Sequence, residues 1–156
     1  MTNVTAPGVG ELAPEFKLKA TDGQFVSLSE YRGKKRVVLV FFPLAFSPVC
    51  SHQLPTIERD LPRLRALEAE VLGISVDSHY ANGEFAKRLQ LTFPLLSDLK
   101  REASAAYGVL LDTGYSGRAL FVIDFDGRVV YRDIAPTPGE IPSNAELLRA
   151  LEGIAK

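Results

Sequence analysis

The chain has only one cysteine, Cys50, so no disulfide can form within it. A lone thiol is typical of a reducing compartment, and it excludes both a disulfide-stabilised secreted scaffold and a paired C-x-x-C redox motif. Histidine is also scarce, because only His52 and His79 occur. One cysteine and two histidines without close spacing make a poor zinc set, so the sequence predicts neither a metal nor a cofactor.

Long hydrophobic runs and an excess of charge of either sign are absent as well. No segment reaches the roughly 18 apolar residues of a membrane span, and residues 1–10 lack the basic start and apolar core of a signal peptide. The 18 Lys and Arg and 19 Asp and Glu residues give a net charge of −1, which argues against binding to a phosphate backbone. We therefore expect a cytoplasmic protein that binds neither membrane nor nucleic acid.

Motifs for phosphate binding and for serine hydrolysis are also missing. The chain contains neither the G-x-x-x-x-G-K-[ST] loop nor the G-x-G-x-x-G loop. The segment GYSGR at residues 114–118 does not fit the G-x-S-x-G nucleophile elbow of the hydrolases. Neither nucleotide binding nor a serine triad is therefore indicated.

The composition of the chain is that of an ordinary globular protein. With 156 residues, 46% hydrophobic and 24% charged, it predicts one domain over residues 1–156. Strand patterns occur at 16–28, a hairpin through Asp22-Gly23, at 37–42, 71–77 and 93–96, and at 119–134, a hairpin through Asp126-Gly127. Helical patterns occur at 48–67, 83–89, 101–107 and 145–155, with Asn144 as the cap of the last helix. This order predicts an α/β protein with a mixed central sheet and helices on both faces.

Cys50 follows a strand pattern and opens a helical one. Residues 37–42 form an apolar run without a polar break, which predicts a strand covered on both faces. Pro43 ends that run. Ser47 followed by Pro48 predicts a helix start, because a serine side chain accepts bonds from the free amides and a proline has no amide to leave unpaired. Cys50 then falls near the third helical position.

The helix that begins there has one apolar stripe. Its members recur at spacings of three and four residues and are Leu54, Ile57, Leu61 and Leu64. The stripe predicts a helix to about Leu67. Pro55 lies inside the pattern and predicts a kink, and Pro62 marks a second place where the helix could break, since a proline removes one hydrogen bond and clashes with the preceding turn.

The position of Cys50 indicates a reactive thiol. An isolated cysteine is most often a small buried hydrophobe. In the first turn of a helix, however, the positive end of the helix dipole and the unpaired amides favour the thiolate. The apolar loop PLAF at residues 43–46 would partly exclude water and strengthen those interactions.

The segment PLAFSPVC at 43–50 resembles the signature of the peroxiredoxins, a proline followed four residues later by Thr or Ser and seven later by the peroxidatic cysteine. Further matches are GELAPEFKL at 10–18, AYGV at 106–109, SGRALFVID at 116–124 and PGE at 138–140. The resemblance extends over nearly the whole chain and is greatest to the one-cysteine, alkyl hydroperoxide reductase E-like (AhpE-type) branch. It implies a thioredoxin-like fold with an N-terminal β-hairpin extension, and reduction of hydroperoxides by the cysteine.

The resemblance also implies roles for four residues. Cys50 would be the nucleophile, Ser47 would orient peroxide and thiolate, and Pro43 would shield the pocket. Arg118 matches the active-site arginine of the family, which can favour the thiolate and donate to the charge that develops on the departing oxygen. Without the resemblance, Arg118 would be interpreted as a surface arginine in a Gly-rich turn and Ser47 as a plain helix cap.

Two departures from the family pattern matter. Gln53 stands where many members carry Glu, and a neutral amide can hydrogen-bond but adds no charge. Pro55 stands where members with a resolving cysteine in this helix carry it. Oxidised Cys50 must then be reduced by an external thiol, either a low-molecular-weight thiol or a glutaredoxin-like or thioredoxin-like protein. The family further implies hydrogen peroxide, organic hydroperoxides or peroxynitrite as substrates, and a homodimer as an assembly that members often form.

Two alternatives remain beside a peroxidase. A thioredoxin-like disulfide oxidoreductase needs two cysteines, whereas here Ser47 occupies the first C-x-x-C position, and no proline directly precedes the strand at 119–124. A redox-inactive thioredoxin-fold binding or chaperone module would bury Cys50 as an inert thiol. His52 is a poor candidate for a base, because it lies two residues past Cys50 and projects from a different helix face.

Overall fold

A computed structural model describes residues 5–137 and 139–155 of the chain. Within them the strands are β1 (Lys17–Ala20), β2 (Phe25–Ser27), β3 (Arg36–Phe41), β4 (Ala69–Ser75), β5 (Leu95–Ser97), β6 (Ala119–Ile123) and β7 (Val129–Ile134). They form one seven-stranded sheet in the order β2-β1-β5-β4-β3-β6-β7. Pro138, in the PGE segment, lies outside the described residues.

The sheet is mixed, as the sequence predicts. Strands β3, β4 and β5 are parallel to one another at its centre. The N-terminal hairpin β1-β2 adds antiparallel strands beside β5, and the hairpin β6-β7 adds antiparallel strands beside β3. Both predicted hairpins are therefore confirmed, one at each edge of the sheet.

Four α-helices and a short 3-10 helix (Leu28–Tyr31) accompany the sheet within residues 5–137 and 139–155. The α-helices are α1 (Pro48–Ala66), α2 (His79–Leu89), α3 (Glu102–Ala106) and α4 (Asn144–Ala155). The core on one face of the sheet contains Leu54 of α1, Phe85 of α2 and Leu151 of α4. The core on the other face contains Ala103 of α3 and Leu28 of the 3-10 helix, so the predicted helices on both faces are confirmed.

Strand β3 passes through the middle of both cores. Alternate residues point to opposite faces of a strand, and here Val38 and Val40 join one core while Leu39 and Phe41 join the other. Every β3 residue is buried. The loop that leads to Cys50 and α1 leaves from the carboxyl end of this buried strand.

The second core is closed by an aromatic cluster beneath β3. The ring centroid of Tyr107 lies 5.3 Å from that of Phe41 and 5.2 Å from that of Phe121. The Tyr107 hydroxyl donates a hydrogen bond of 2.7 Å to the Pro14 carbonyl. Burial, with a smaller effect of the Glu15 charge, raises the pKa of Tyr107 far above its usual range, so this hydroxyl stays protonated and keeps its bond.

Two local predictions about helices are corrected. Helix α1 runs unbroken from Pro48 to Ala66, so the break near Pro62 does not occur. A proline removes only the hydrogen bond of its own amide, and the apolar stripe holds α1 on the sheet past both prolines, since Leu54, Ile57, Leu61 and Leu64 are at most 2% exposed. A kink at Pro55 stays a prediction.

The cap of α4 is Ser143 and not Asn144. The Ser143 hydroxyl accepts a hydrogen bond from the Glu146 amide at 3.2 Å, while Asn144 is the first residue of the helix. Ser143 and Glu146 have the spacing of a capping box, a signal present in the sequence. Asn144 instead donates through Nδ2 to the Thr56 hydroxyl at 2.9 Å, which ties α4 to α1.

Within residues 5–137 and 139–155, no helix has both the length and the hydropathy to cross a bilayer.

Candidate active site

Cys50 lies in the first turn of α1, at the end of the loop that leaves β3. Ser47 is the N-cap residue, and its hydroxyl accepts a hydrogen bond from the Cys50 amide at 3.4 Å. Pro48 occupies the first helical position, so the predicted helix start is confirmed. Cys50 is a free cysteine and is 0% exposed. The sulfur therefore lies out of water and next to the N-terminal end of a helix.

An aspartate after the neighbouring strand fixes the cysteine loop, which is residues 42–47 between β3 and α1. The Ala45 amide donates to Oδ2 of Asp77 at 2.7 Å, and the Ser75 hydroxyl donates to the same oxygen at 2.8 Å. Asp77 follows β4, and the carboxyl ends of parallel strands β3 and β4 meet at one edge of the sheet. Sequence reasoning missed Asp77, although a carboxylate directly after a buried strand was the available signal.

Arg118 reaches the same edge from the other side of β3. It immediately precedes β6, and the first residue of β6, Ala119, pairs with Phe41. Arg118 therefore lies level with the start of the cysteine loop. It is only 2% exposed, so it is not the surface arginine that its Gly-rich turn would otherwise suggest. Just upstream, the Ser116 hydroxyl donates to the Phe42 carbonyl at 3.0 Å and pins this turn to the end of β3.

Gln53 connects Arg118 to the helix of the cysteine. Arg118 donates from Nη1 to Oε1 of Gln53 at 2.7 Å. Gln53 lies three residues after Cys50, so the two side chains project from one side of α1 about a turn apart. Both are 0% exposed. The structure thus brings Cys50, Gln53 and Arg118 to one end of α1, although Arg118 is distant in sequence.

The rest of the loop presents apolar side chains to solvent. Pro43 is buried, whereas Leu44 is 37% and Phe46 is 48% exposed. Phe46 has a φ of 68°, uncommon for a residue with a side chain, and its ring lies 5.0 Å from that of Phe85. Because Cys50 has no exposed surface in this arrangement, a substrate reaches its sulfur only if the loop or the first turn of α1 moves. The shielding role of Pro43 stays a prediction.

Neither histidine has a hydrogen bond to the cluster among the contacts described for residues 5–137 and 139–155. His52 is exposed, in contrast to the buried Cys50. The ring of His79 stacks on that of Tyr80, with the centroids 3.9 Å apart. In the part of the chain that the structure describes, no three His, Cys, Asp or Glu side chains are grouped so that they could hold a metal ion.

A lone buried thiol at a helix start, with a guanidinium held at the same end of the sheet, is an arrangement for chemistry on the sulfur itself and not for exchange between two cysteines. Solved structures with the same fold support this class. The chain superposes on the reduced 2-Cys peroxiredoxin of Plasmodium vivax with a TM-score of 0.87 and 34% identity, covering 94% of this chain and 81% of that one. It superposes on Mycobacterium tuberculosis AhpC with a TM-score of 0.87 and 26% identity, covering 96% and 93%. The thioredoxin-like fold is thereby confirmed.

The sequence comparisons name the family. A model of the AhpC/TSA family matches residues 9–132. The chain is 38% identical over 136 residues to alkyl hydroperoxide reductase E of Mycobacterium tuberculosis, covering 85% of this chain and 88% of that protein. It is also 38% identical over 136 residues to a chloroplastic 2-cysteine peroxiredoxin of Chattonella marina var. antiqua, covering 81% and 70%. The chain belongs to the AhpC/TSA family and is a peroxiredoxin.

The family decides between the classes of function considered above. Peroxiredoxins are thiol peroxidases, which reduce hydroperoxides at the expense of thiols, and they are commonly oligomeric. Neither a disulfide oxidoreductase nor a redox-inactive module is favoured. The relatives include both AhpE and 2-cysteine proteins, whereas this chain has Cys50 alone.

Removing the Ser47 hydroxyl is expected to affect both the helix and the reaction. Ser47→Ala should lower the free energy of unfolding by about 1 kcal/mol, the usual cost of losing an N-cap. If the hydroxyl also orients peroxide, oxidation of Cys50 should slow roughly 2- to 10-fold, the value of one neutral hydrogen bond. Urea unfolding and the second-order rate constant of Cys50 oxidation measure the two effects.

The matched control is Ser78→Ala. Ser78 caps α2 in the same way, accepting from the Ala81 amide at 3.2 Å, but it does not belong to the cysteine loop. We expect a similar loss of stability with an unchanged oxidation rate. Equal oxidation rates in the two variants would leave Ser47 as a cap only.

Proposed function

We propose that this peroxiredoxin uses a one-cysteine mechanism, with Cys50 as the peroxidatic nucleophile and an external thiol as reductant. The observation that carries the proposal is the buried, lone Cys50 in the first turn of α1, one helical turn from the Gln53–Arg118 pair. Within residues 5–137 and 139–155 Cys50 is the only cysteine, as it is in the whole sequence. The redox cycle therefore has only one thiol within the chain, that of Cys50.

The proposed oxidation step is an attack by Cys50 on the peroxide. The thiolate attacks the terminal oxygen of the hydroperoxide, an S–O bond forms and the O–O bond breaks. Cys50 becomes a sulfenic acid, and the departing alkoxide or hydroxide takes a proton and leaves as an alcohol or water. Negative charge moves from the sulfur to the departing oxygen, so donors fixed at both positions lower the barrier.

Each of the other site residues has a role in that step. Arg118 favours the thiolate before the reaction and donates to the departing oxygen during it. Ser47 orients peroxide and thiolate with a hydroxyl that also caps α1. Pro43, buried at the end of β3, shields the sulfur from water. Position supports these three roles, because Arg118, Ser47 and Pro43 all lie near the point where β3 ends and α1 begins.

The second half of the cycle needs a partner thiol. A first thiol condenses with the sulfenic acid, forming a mixed disulfide on Cys50 and releasing water, and a second thiol then releases Cys50 and leaves as a disulfide. A low-molecular-weight thiol, a glutaredoxin-like protein or a thioredoxin-like protein can each do this. The substrates that fit are hydrogen peroxide, organic hydroperoxides and peroxynitrite.

Three further parts of the proposal concern the whole chain. We propose that residues 1–156 act as one domain, because one sheet contains strands from residue 17 to residue 134. A cytoplasmic location suits a lone cysteine that must be kept reduced. A homodimer is the proposed assembly, in line with the common oligomerisation of the family.

The fate of Cys50 in a peroxide titration tests the mechanism. One equivalent of peroxide should add one oxygen to the protein, seen by intact mass with a sulfenic acid trap. A low-molecular-weight thiol should convert this product to a mixed disulfide on Cys50. Excess peroxide without thiol should add a second oxygen that such thiols do not remove, because sulfinic acid is not reduced by them.

Cys50→Ser is the control for oxidation elsewhere, chiefly at Met1, the one methionine of the chain. It should gain no oxygen with one equivalent of peroxide.

One outcome of the titration would contradict the proposal. If the main product were a dimer linked through Cys50 that turned over rapidly with thioredoxin, the one-cysteine cycle with a small thiol would be wrong.

A further inference from the structure

The amide nitrogen of Gln53 is a buried donor that no other part of the described chain uses. Gln53 is 0% exposed, and its Oε1 accepts from Arg118 at 2.7 Å. Its Nε2 has no hydrogen-bond partner among residues 5–137 and 139–155. Buried polar atoms are nearly always paired, so an exception beside a reactive group points to a ligand.

Chemistry fixes the orientation of this amide. A guanidinium can only donate hydrogen bonds, so the atom of Gln53 that faces Arg118 must be its oxygen. A flipped amide would set two donors against each other. Nε2 therefore points away from Arg118 with both of its hydrogens available.

The amide also differs from a carboxylate in charge. A glutamate at this position would bring a negative charge to Arg118 and would offer no donor when ionised. Gln53 orients the guanidinium through a neutral contact and adds two N–H groups to the site. The contact thus positions Arg118 without cancelling its charge.

Gln53 lies about one helical turn along α1 from Cys50. Side chains three residues apart on a helix have Cβ atoms about 5–6 Å apart. The proposal requires the second oxygen of a hydroperoxide, one O–O bond beyond the terminal oxygen that meets the Cys50 sulfur, to lie toward Gln53. Both Cys50 and Gln53 are fully buried, so a hydrogen bond formed there is not weakened by water.

We propose that Gln53 is a catalytic residue of this peroxiredoxin, whose Nε2 donates a hydrogen bond to the departing oxygen of the hydroperoxide while its Oε1 holds Arg118. The inference rests on the proposed function of Cys50. As the S–O bond forms and the O–O bond breaks, negative charge grows on the departing oxygen, and the amide stabilises that charge before solvent protonates the product. The donor should matter most for the most basic leaving groups.

Gln53→Glu removes the donor and keeps the contact to Arg118, because a carboxylate can still accept from Arg118 but cannot donate when ionised. It also places a negative charge beside Arg118, so the comparison between leaving groups and with Gln53→Met decides the role of the donor. We expect oxidation of Cys50 by hydrogen peroxide and by an alkyl hydroperoxide to slow about tenfold or more. Oxidation by a peracid should slow much less, since its departing carboxylate is stable without help. The rate of Cys50 alkylation by iodoacetamide reports the thiolate itself, and dividing by it removes any effect of the new charge on the sulfur.

Gln24→Glu is the matched control, because it adds the same charge at an exposed position. It should leave all four rates unchanged, those with hydrogen peroxide, the alkyl hydroperoxide, the peracid and iodoacetamide. Gln53→Met, which has neither donor nor acceptor, serves if Gln53→Glu does not fold, and it should slow peroxide oxidation more than alkylation.

Two outcomes would overturn the inference. One is a corrected rate for Gln53→Glu equal to that of the parent protein with hydrogen peroxide. The other is an equal loss for the peroxides and the peracid, which would indicate a structural role. Failure of the parent protein to be oxidised at all would instead contradict the proposed function, so the two failures are distinct.

Discussion

A Cys50→Ser variant is expected to reduce peroxide at least about 10³-fold more slowly than the parent protein. Loss of the nucleophile abolishes the whole reaction, whereas loss of a supporting residue only raises the barrier. Serine keeps the shape of the side chain and a buried oxygen in place of sulfur. Its hydroxyl is not ionised at neutral pH and is not oxidised by peroxide. Peroxide consumption in the presence of dithiothreitol, with circular dichroism as a check on the fold, measures the effect.

A companion variant keeps this test independent of stability. Because Cys50 is fully buried, a serine hydroxyl there lacks water and could destabilise the first turn of α1. Cys50→Ala places no polar atom in the site and should be equally inactive. Activity above a tenth of the parent value in either folded variant would mean that Cys50 is not the nucleophile.

The fold was predictable because its strongest signals are local. The apolar run at 37–42 became β3 at Arg36–Phe41, one residue earlier, and Ser47-Pro48 marked the start of α1. Boundaries set by weaker signals were less accurate: α2 begins at His79, before the predicted 83, and β5 covers Leu95–Ser97 in place of 93–96. Proline was weighted too heavily, since packing against the sheet carries α1 through Pro62.

The candidate site was predictable only where a motif named its parts. Cys50 and Ser47 lie in one continuous segment, and the family resemblance added Arg118. The contacts among them depend on strand pairing, because Arg118 approaches Gln53 only through the antiparallel register of β3 and β6. The position of Asp77 after a buried strand was a signal in the sequence, but neither its bond from the Ala45 amide nor the unpaired amide nitrogen of Gln53 could be predicted from one sequence. Such features follow from tertiary packing, which spacing alone does not describe.

The most specific test of the site concerns Arg118. Arg118→Met is expected to slow oxidation of Cys50 at least about tenfold, since losing a charged donor to a developing oxyanion costs about 1.4 kcal/mol or more. Arg118→Lys keeps the charge but loses the planar guanidinium, which donates to Gln53 and in the proposed mechanism also donates to peroxide. Its rate should therefore fall between those of the parent and Arg118→Met. Because the chain has no tryptophan, tryptophan fluorescence cannot follow the reaction. The rate is measured by rapid-quench oxidation followed by intact mass.

A second buried arginine at the opposite end of the same strands provides the control. Arg36, at the start of β3, pairs with Asp124 at 3.0 Å and is 8% exposed. Arg36→Met also removes a buried positive charge and should lower stability, yet it leaves the Cys50 end of β3 untouched and should not change the oxidation rate. If both variants slowed oxidation equally, the effect of Arg118 would come from the fold. If Arg118→Met, with an intact fold, oxidised as fast as the parent, Arg118 would have no part in the chemical step.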